Sequence, residues 1–166
     1  MLLGGARSGK SALAVRLAIE SGRPVTVIAT ATAGDEEMAE RIQRHRSSRP
    51  ASWKTVEEPV DLLGAIRSAG ADDFLVIDCL TLWVTNLLGA GHGEGEFEGL
   101  IEPVVRELDG RRGVVVSNEV GMGIVPANEL ARRFRDVLGF VNTRFASGAE
   151  RAVLMVAGRA LELASI

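Results

Sequence analysis

Gly4-Gly5-Ala6-Arg7-Ser8-Gly9-Lys10-Ser11 satisfies the pattern G-x-x-x-x-G-K-[ST] in full, three residues into a chain of 166. Each residue type has a physical reason to stand where it does. Glycines let the backbone curl closely around an anion, so that successive N–H groups point at it. Lys10 adds a point charge for the terminal phosphates, and the Ser11 hydroxyl is placed to reach Mg²⁺. The flanks agree. Apolar Met1, Leu2 and Leu3 read as a strand, and Ala12, Leu13, Ala14, Val15, Leu17, Ala18 and Ile19 as a helix whose N-terminus faces the phosphates. The stretch predicts a nucleoside-triphosphate binder but names no reaction, because the same loop serves kinases, ATPases and GTPases.

Working outward, 166 residues make one domain, 1–166, long enough to bury a core without metal or disulfide support. The net charge is −3, tyrosine is absent, and five Phe and two Trp are scattered rather than interleaved with basic residues. That pattern argues against nucleic acid as a partner. A single cysteine, Cys79, excludes an internal disulfide and points to a reducing compartment, where it reads as an inert, half-buried thiol. The apolar runs are too short and too interrupted for a signal peptide or a membrane span, so a cytoplasmic location is expected. Almost nothing precedes the glycine loop, which implies a short first strand and raises a truncated start as its origin.

Further β-rich runs fall at 25–28, 74–77, 114–116 and 152–156. Amphipathic segments fall at 12–21, 36–46, 60–69, around 97–108, and at 128–146. This alternation reads as an α/β fold with a mostly parallel sheet covered by helices on both faces. Ligands in such folds lie at the carboxyl ends of the strands. The segments that follow each strand therefore matter most. The glycine-dense stretch 89–95 reads as a mobile loop tip, with His92 solvated in it; two histidines and one cysteine are too few for a zinc site.

After the second strand, Ala29, Thr30 and Ala31 leave room for a ligand, and Asp35 is placed to cap the next helix. That helix ends with Arg41, Arg44, His45, Arg46 and Arg49, while Met38, Ile42, His45 and Arg49 share one face. One reading makes the arginines a solvated helix end, favoured there by the helix dipole, with His45 continuing an apolar stripe. The other makes an anion site with a nucleophilic imidazole at its centre. Composition leaves the two level. Asp78 closes the strand at 74–77, where a Mg²⁺-organising carboxylate is expected, a helix cap being the alternative. Ser117 to Pro126 reads as a substrate-facing loop, in which Glu119 is either a base or ligand or a plain surface acid. Met122 reads as packing, and Leu130, Phe134, Val137, Leu138, Val141 and Phe145 as a core face.

The sequence resembles the bifunctional adenosylcobinamide kinase / adenosylcobinamide-phosphate guanylyltransferases of cobalamin synthesis. The resemblance is carried by GGARSGKS at 4–11, IAT at 28–30, DEEMAERIQRHRSSRPASWKTVEEP at 35–59, TNLL at 85–88 and SNEVGMGIVPANELARRFRDVLGFVNTRFA at 117–146. It implies a RecA-like P-loop fold assembled as a homotrimer. It also implies two reactions: ATP or GTP phosphorylates adenosylcobinamide, then GTP gives GMP to adenosylcobinamide phosphate with release of pyrophosphate. His45 matches the position that carries GMP transiently. Nucleotide contacts are implied at Gly4, Gly5, Ala6, Arg7, Ser8, Gly9, Lys10, Ser11, Ala29, Thr30, Ala31, Arg46, Ser47, Ser48, Arg49 and Glu57, with Mg²⁺ at Ser11 and Asp78. The first strand and the end of the chain depart from the family's pattern. A kinase without guanylyl transfer, or a regulatory P-loop NTPase, is the alternative.

Overall fold

The computed structural model describes residues 1–165, the side chain of Arg41 excepted. The elements run β1 (Leu2–Gly4), α1 (Lys10–Glu20), β2 (Val25–Ala29), α2 (Glu36–Ser47), β3 (Lys54–Glu57), α3 (Leu62–Arg67), β4 (Phe74–Asp78), α4 (Leu80–Gly89), α5 (Phe97–Leu108), β5 (Gly113–Val116), α6 (Glu129–Ser147), β6 (Ala152–Val156) and β7 (Arg159–Leu163). Seven strands form one sheet in the order β3-β2-β4-β5-β1-β6-β7. Every pairing is parallel except the β6–β7 hairpin.

The strands explain their own coverage. Val25 and Val27 of β2 point to one face and Ile28 to the other, as a period of two requires. On the first face Ala14 and Ala18 of α1 pack on Val76, Val114 and Val116. On the second, α3, α4, α5 and α6 close over Leu75 and Ile77 with Leu62, Ile66, Trp83, Leu87, Ile101, Leu138 and Phe145. Trp83 meets Phe145 edge-on, with ring centroids 6.2 Å apart, and donates its indole N–H to the Val60 carbonyl. Helices on both faces of a mainly parallel sheet, with the phosphate-loop strand inside it, make the α/β, RecA-like P-loop fold that was expected.

Three elements were not read from the sequence. Lys54–Glu57 is a polar edge strand without a continuous apolar side, so its pattern carries little signal. Leu80–Gly89 is apolar around most of its circumference because it is enclosed on several sides, which hides the helical period. Arg159–Leu163 is exposed along its whole length and joins only by pairing back on β6. Two expected core residues also differ: Met122 is 77% exposed and Leu130 is 68% exposed. The stretch at 89–95 is partly organised, since a 3-10 turn over Glu94–Glu96 takes up its last two residues and Arg133 of α6 donates to the His92 carbonyl at 2.9 Å.

β1 is short, as expected, yet it lies between two strands. Leu2 is in register with Val116 of β5, and Leu2, Leu3 and Gly4 with Val153, Leu154 and Met155 of β6. Gly4 has φ +144°, and a Cβ there would stand 2.2 Å from the Met155 carbonyl oxygen. Only glycine fits. Gly4→Ala should lower stability by about 2–3 kcal/mol through this clash and the unfavourable φ. Gly5→Ala, where a Cβ meets nothing within 4 Å, should cost under about 1 kcal/mol. Denaturant midpoints of the two variants check the contrast.

Candidate active site at the carboxyl edge of the sheet

The phosphate loop occupies the end of β1 and the start of α1. Gly9, with φ +103°, is the residue before the first helical turn, so α1 begins at Lys10 with its N-terminus turned toward the loop. Lys10 is buried and donates from Nζ to the carbonyls of Gly4 and Gly5 at 2.7 Å each and to Ser8 Oγ at 3.3 Å. Ser8 is buried too, while Gly5, Ala6 and Arg7 are exposed and Ser11 is half-buried. The β6–β7 turn supports the loop from behind, because Gly158 N–H donates to the Ser8 carbonyl at 3.0 Å.

The register of the parallel strands builds the neighbouring wall. Ala29 at the end of β2 is level with Glu57 of β3 on one side and Asp78 of β4 on the other. Asp78 is in turn level with Val116, and Val116 with Leu2. Three residues singled out from sequence thus lie in one row that continues to the phosphate-loop strand. The row also receives α2. Asp35 caps that helix by accepting from Met38 N–H at 2.7 Å, and Met38, Ile42, His45 and Arg49 form its less exposed side. Arg46 pairs with Glu57 at 3.3 Å, and the Arg49 guanidinium is held by the Asp78 carboxylate. The two pairs differ physically. Arg46 and Glu57 are 63% and 62% exposed, so theirs is a solvated contact of little energy. Arg49 and Asp78 are 10% and 19% exposed, so loss of either partner strands a charge out of water. The segment carrying His45 is thereby fastened to the ends of β3 and β4. Ser48 Oγ donates to the His45 carbonyl at 2.8 Å, and Ser47 is exposed.

Thr30 has a different setting from its neighbours. It is fully buried; its hydroxyl donates to the Cys79 carbonyl at 2.7 Å and accepts the Cys79 N–H at 3.0 Å. Its own carbonyl accepts from Asn86 Nδ2 at 2.7 Å, and the same amide donates to Pro59 O at 3.0 Å. Thr30 therefore knits the exits of β2 and β4 together, and Asn86 ties both to the entry of α3. Asn86 was missed as a site-building residue; its only signal was the TNLL block at 85–88, in which it precedes two leucines. Among the described residues Ser117 Oγ and Asn142 Oδ1 are buried without a hydrogen-bond partner.

Among the described residues no three His, Cys, Asp or Glu side chains converge as a metal site. Ser11 and Asp78, the pair expected to hold Mg²⁺, are a hydroxyl and a carboxylate, donor types that Mg²⁺ accepts beside phosphate oxygens and water, and the Asp78 carboxylate is here paired with Arg49. Among the described helices none is long and apolar enough to cross a membrane.

Arg49→Ala should cost about 1–3 kcal/mol, with Asp78→Ala no worse in the Arg49→Ala background than alone; a double-mutant cycle in urea measures the coupling. Cys79, next to Asp78, has its thiol pushed up, first by burial and then by the Asp78 charge, with hydrogen bonds to Leu82 and Thr81 partly offsetting this. A raised thiol holds less thiolate at any given pH. Iodoacetamide should therefore label Cys79 at least about tenfold more slowly than a short cysteine peptide near neutral pH, with the rate recovering in alkali; mass spectrometry of the alkylated protein gives the result.

The family model for cobinamide kinase / cobinamide phosphate guanyltransferase matches residues 1–163. The bifunctional adenosylcobalamin biosynthesis protein CobP of Pseudomonas aeruginosa is 51% identical, over 98% of this chain and 95% of its own length. The bifunctional adenosylcobalamin biosynthesis proteins CobU of Salmonella typhimurium and Escherichia coli are 42% and 38% identical, each over 95% of both chains. A solved type III secretion system ATPase overlaps 92% of this chain and 49% of its own at 13% identity and a TM-score of 0.47, a likeness that says nothing of function. With that family model matched along almost the entire sequence and relatives this similar at full length, the chain belongs to the cobinamide kinase / cobinamide phosphate guanyltransferase family.

Proposed function

We propose that this chain carries both reactions of its family at one edge of its sheet: phosphorylation of adenosylcobinamide by ATP or GTP, then transfer of GMP from GTP to adenosylcobinamide phosphate through His45. The observation that carries the reading is the fastening of α2. The helix bearing His45 is tied, through Arg46 and Arg49, to the strand ends that lie in register with the phosphate-loop strand. This supports a nucleophile and a phosphate cradle at the same end of the sheet, as covalent transfer requires.

In the kinase step the substrate hydroxyl attacks the γ-phosphorus, and the bond to the β–γ bridging oxygen breaks. In the guanylyl step a His45 ring nitrogen bonds the α-phosphorus as the α–β bridge breaks and pyrophosphate leaves. The substrate's phosphate oxygen then displaces the imidazole. Lys10 and the backbone of residues 4–11 hold the triphosphate, and Arg46 and Arg49 offer guanidinium groups to the transferring charge. Ala29, Thr30, Ala31, Ser47, Ser48 and Glu57 shape the nucleotide side. Ser11 would hold Mg²⁺ together with Asp78, whose carboxylate would exchange its Arg49 partner for the ion, and the ion would offset phosphate charge. A homotrimer belongs to the same reading, supported by the exposed apolar side chains of Met122, Ile124, Val125, Leu130, Val156 and Leu161. So does a cytoplasmic location, supported by the lone thiol.

The test incubates the protein with Mg²⁺ and α- or γ-³²P-labelled GTP, beside a His45→Ala variant. Acid-labile, alkali-stable label from the α position alone, absent in the variant, is the expected outcome. No retained α-label while GTP binds would overturn His45 as nucleophile and leave a kinase-only enzyme or an NTPase.

A further inference from the structure

Four hydrogen bonds hold the three residues that leave β5. Ser117 N–H donates to the Leu2 carbonyl at 2.9 Å, and Glu119 N–H to the Gly4 carbonyl at 3.1 Å. Asn118 N–H donates to Thr81 Oγ1 of α4 at 2.8 Å, and Asn142 Nδ2 of α6 donates to the Asn118 carbonyl at 3.0 Å. Glu119 is therefore no loosely held loop acid. Its backbone N–H is bonded to the first glycine of the phosphate loop, and the preceding residue, Asn118, is braced by α4 and α6, which is how a reacting group is kept in position without an ordering cost.

Glu57, Glu58 and Asp78, the acids that end or follow β3 and β4 at this edge, are engaged. Arg46 pairs with Glu57, and Arg49 with Asp78. Glu58 accepts the Val60 and Asp61 N–H groups at 3.0 and 2.9 Å at the entry to α3. Among the described residues Glu119 has no cation within ion-pair distance; its half-buried carboxylate accepts the N–H of Gly121, a neutral group. No guanidinium or ammonium of the described residues covers its oxygens, so they stay open to a substrate hydroxyl.

We infer that Glu119 is the general base of the phosphoryl-transfer half-reaction, an inference that rests on the kinase half of the proposed function. Its carboxylate accepts the proton of the substrate hydroxyl as that oxygen bonds the γ-phosphorus and the β–γ bridge breaks, releasing the nucleoside diphosphate. The proton then passes to water. Guanylyl transfer needs no such base, because its nucleophiles are an imidazole nitrogen and an already ionised phosphate.

The test compares wild type, Glu119→Gln and Glu119→Ala in two separate assays. One is transfer of ³²P from γ-labelled ATP to adenosylcobinamide; the other is protein-bound label from α-labelled GTP. Glutamine still offers an oxygen to Gly121 N–H, so the turn persists and only the base is lost. In both variants the kinase rate should fall by about 100-fold or more, with the residual rate rising as hydroxide replaces the missing base, while α-label stays within about threefold. A Glu119→Gln enzyme that keeps its kinase rate within about fivefold overturns the inference, as does parallel loss of both activities. Absence of γ-phosphate transfer in wild type would overturn it too, but through failure of the kinase reading, with Glu119 uninvolved. Melting curves of the variants identify any that fail to fold, and Glu119→Gln then decides in place of Glu119→Ala.

Discussion

A parallel sheet sends every strand out through the same edge, and this constraint governs the molecule. Each of β1 to β5 is followed by a crossover, so the chain leaves the sheet at one edge and re-enters at the other, until β6 turns back into β7. The exits of β1, β2, β3, β4 and β5 consequently stand side by side, in a row fixed by backbone hydrogen bonds. Residues distant in sequence become neighbours without any being chosen for local structure. The N-terminal edge has a different character: a concavity of about 1040 Å³ there is bordered by Leu13, Leu17, Phe74 and Val105 among others, away from the phosphate loop.

Arg49 shows how electrostatics refines what the sheet supplies. A guanidinium just past the end of α2 and a carboxylate at the end of β4 shield each other where neither is well hydrated. Such a pair adds little net stability, since desolvation offsets most of the attraction, but it fixes geometry because any other arrangement leaves a charge unsatisfied. Arg46 and Glu57, both well exposed, set orientation far more weakly.

The fold was largely legible because apolar runs and helical periods report burial on one or two faces. The strands at 25–28, 74–77, 114–116 and 152–156 lie within one residue of where they were read. What escaped was structure whose residues do not report burial: a polar edge strand, an enclosed helix and an exposed hairpin strand. The phosphate loop was legible because its geometry is encoded in eight consecutive residues. The pairing of Arg49 with Asp78 was not, since the partners are 29 residues apart and only tertiary packing joins them. Thr30 looked like a small residue making room; its enclosure by Cys79 and Asn86 follows from a helix that the pattern concealed.

The placement of β1 has a bearing on how the protein can be made. Its sheet partners, β5 and β6, come from residues 113–116 and 152–156, so most of the chain must exist before the phosphate loop has anything to lean on. The motif is synthesised before either of these strands and is anchored late, because its sheet contacts span more than half of the chain. A fragment ending before Gly113 would contain the complete signature yet neither flanking strand. The nucleotide site is thus a property of the finished chain, although its recognisable residues occupy the beginning.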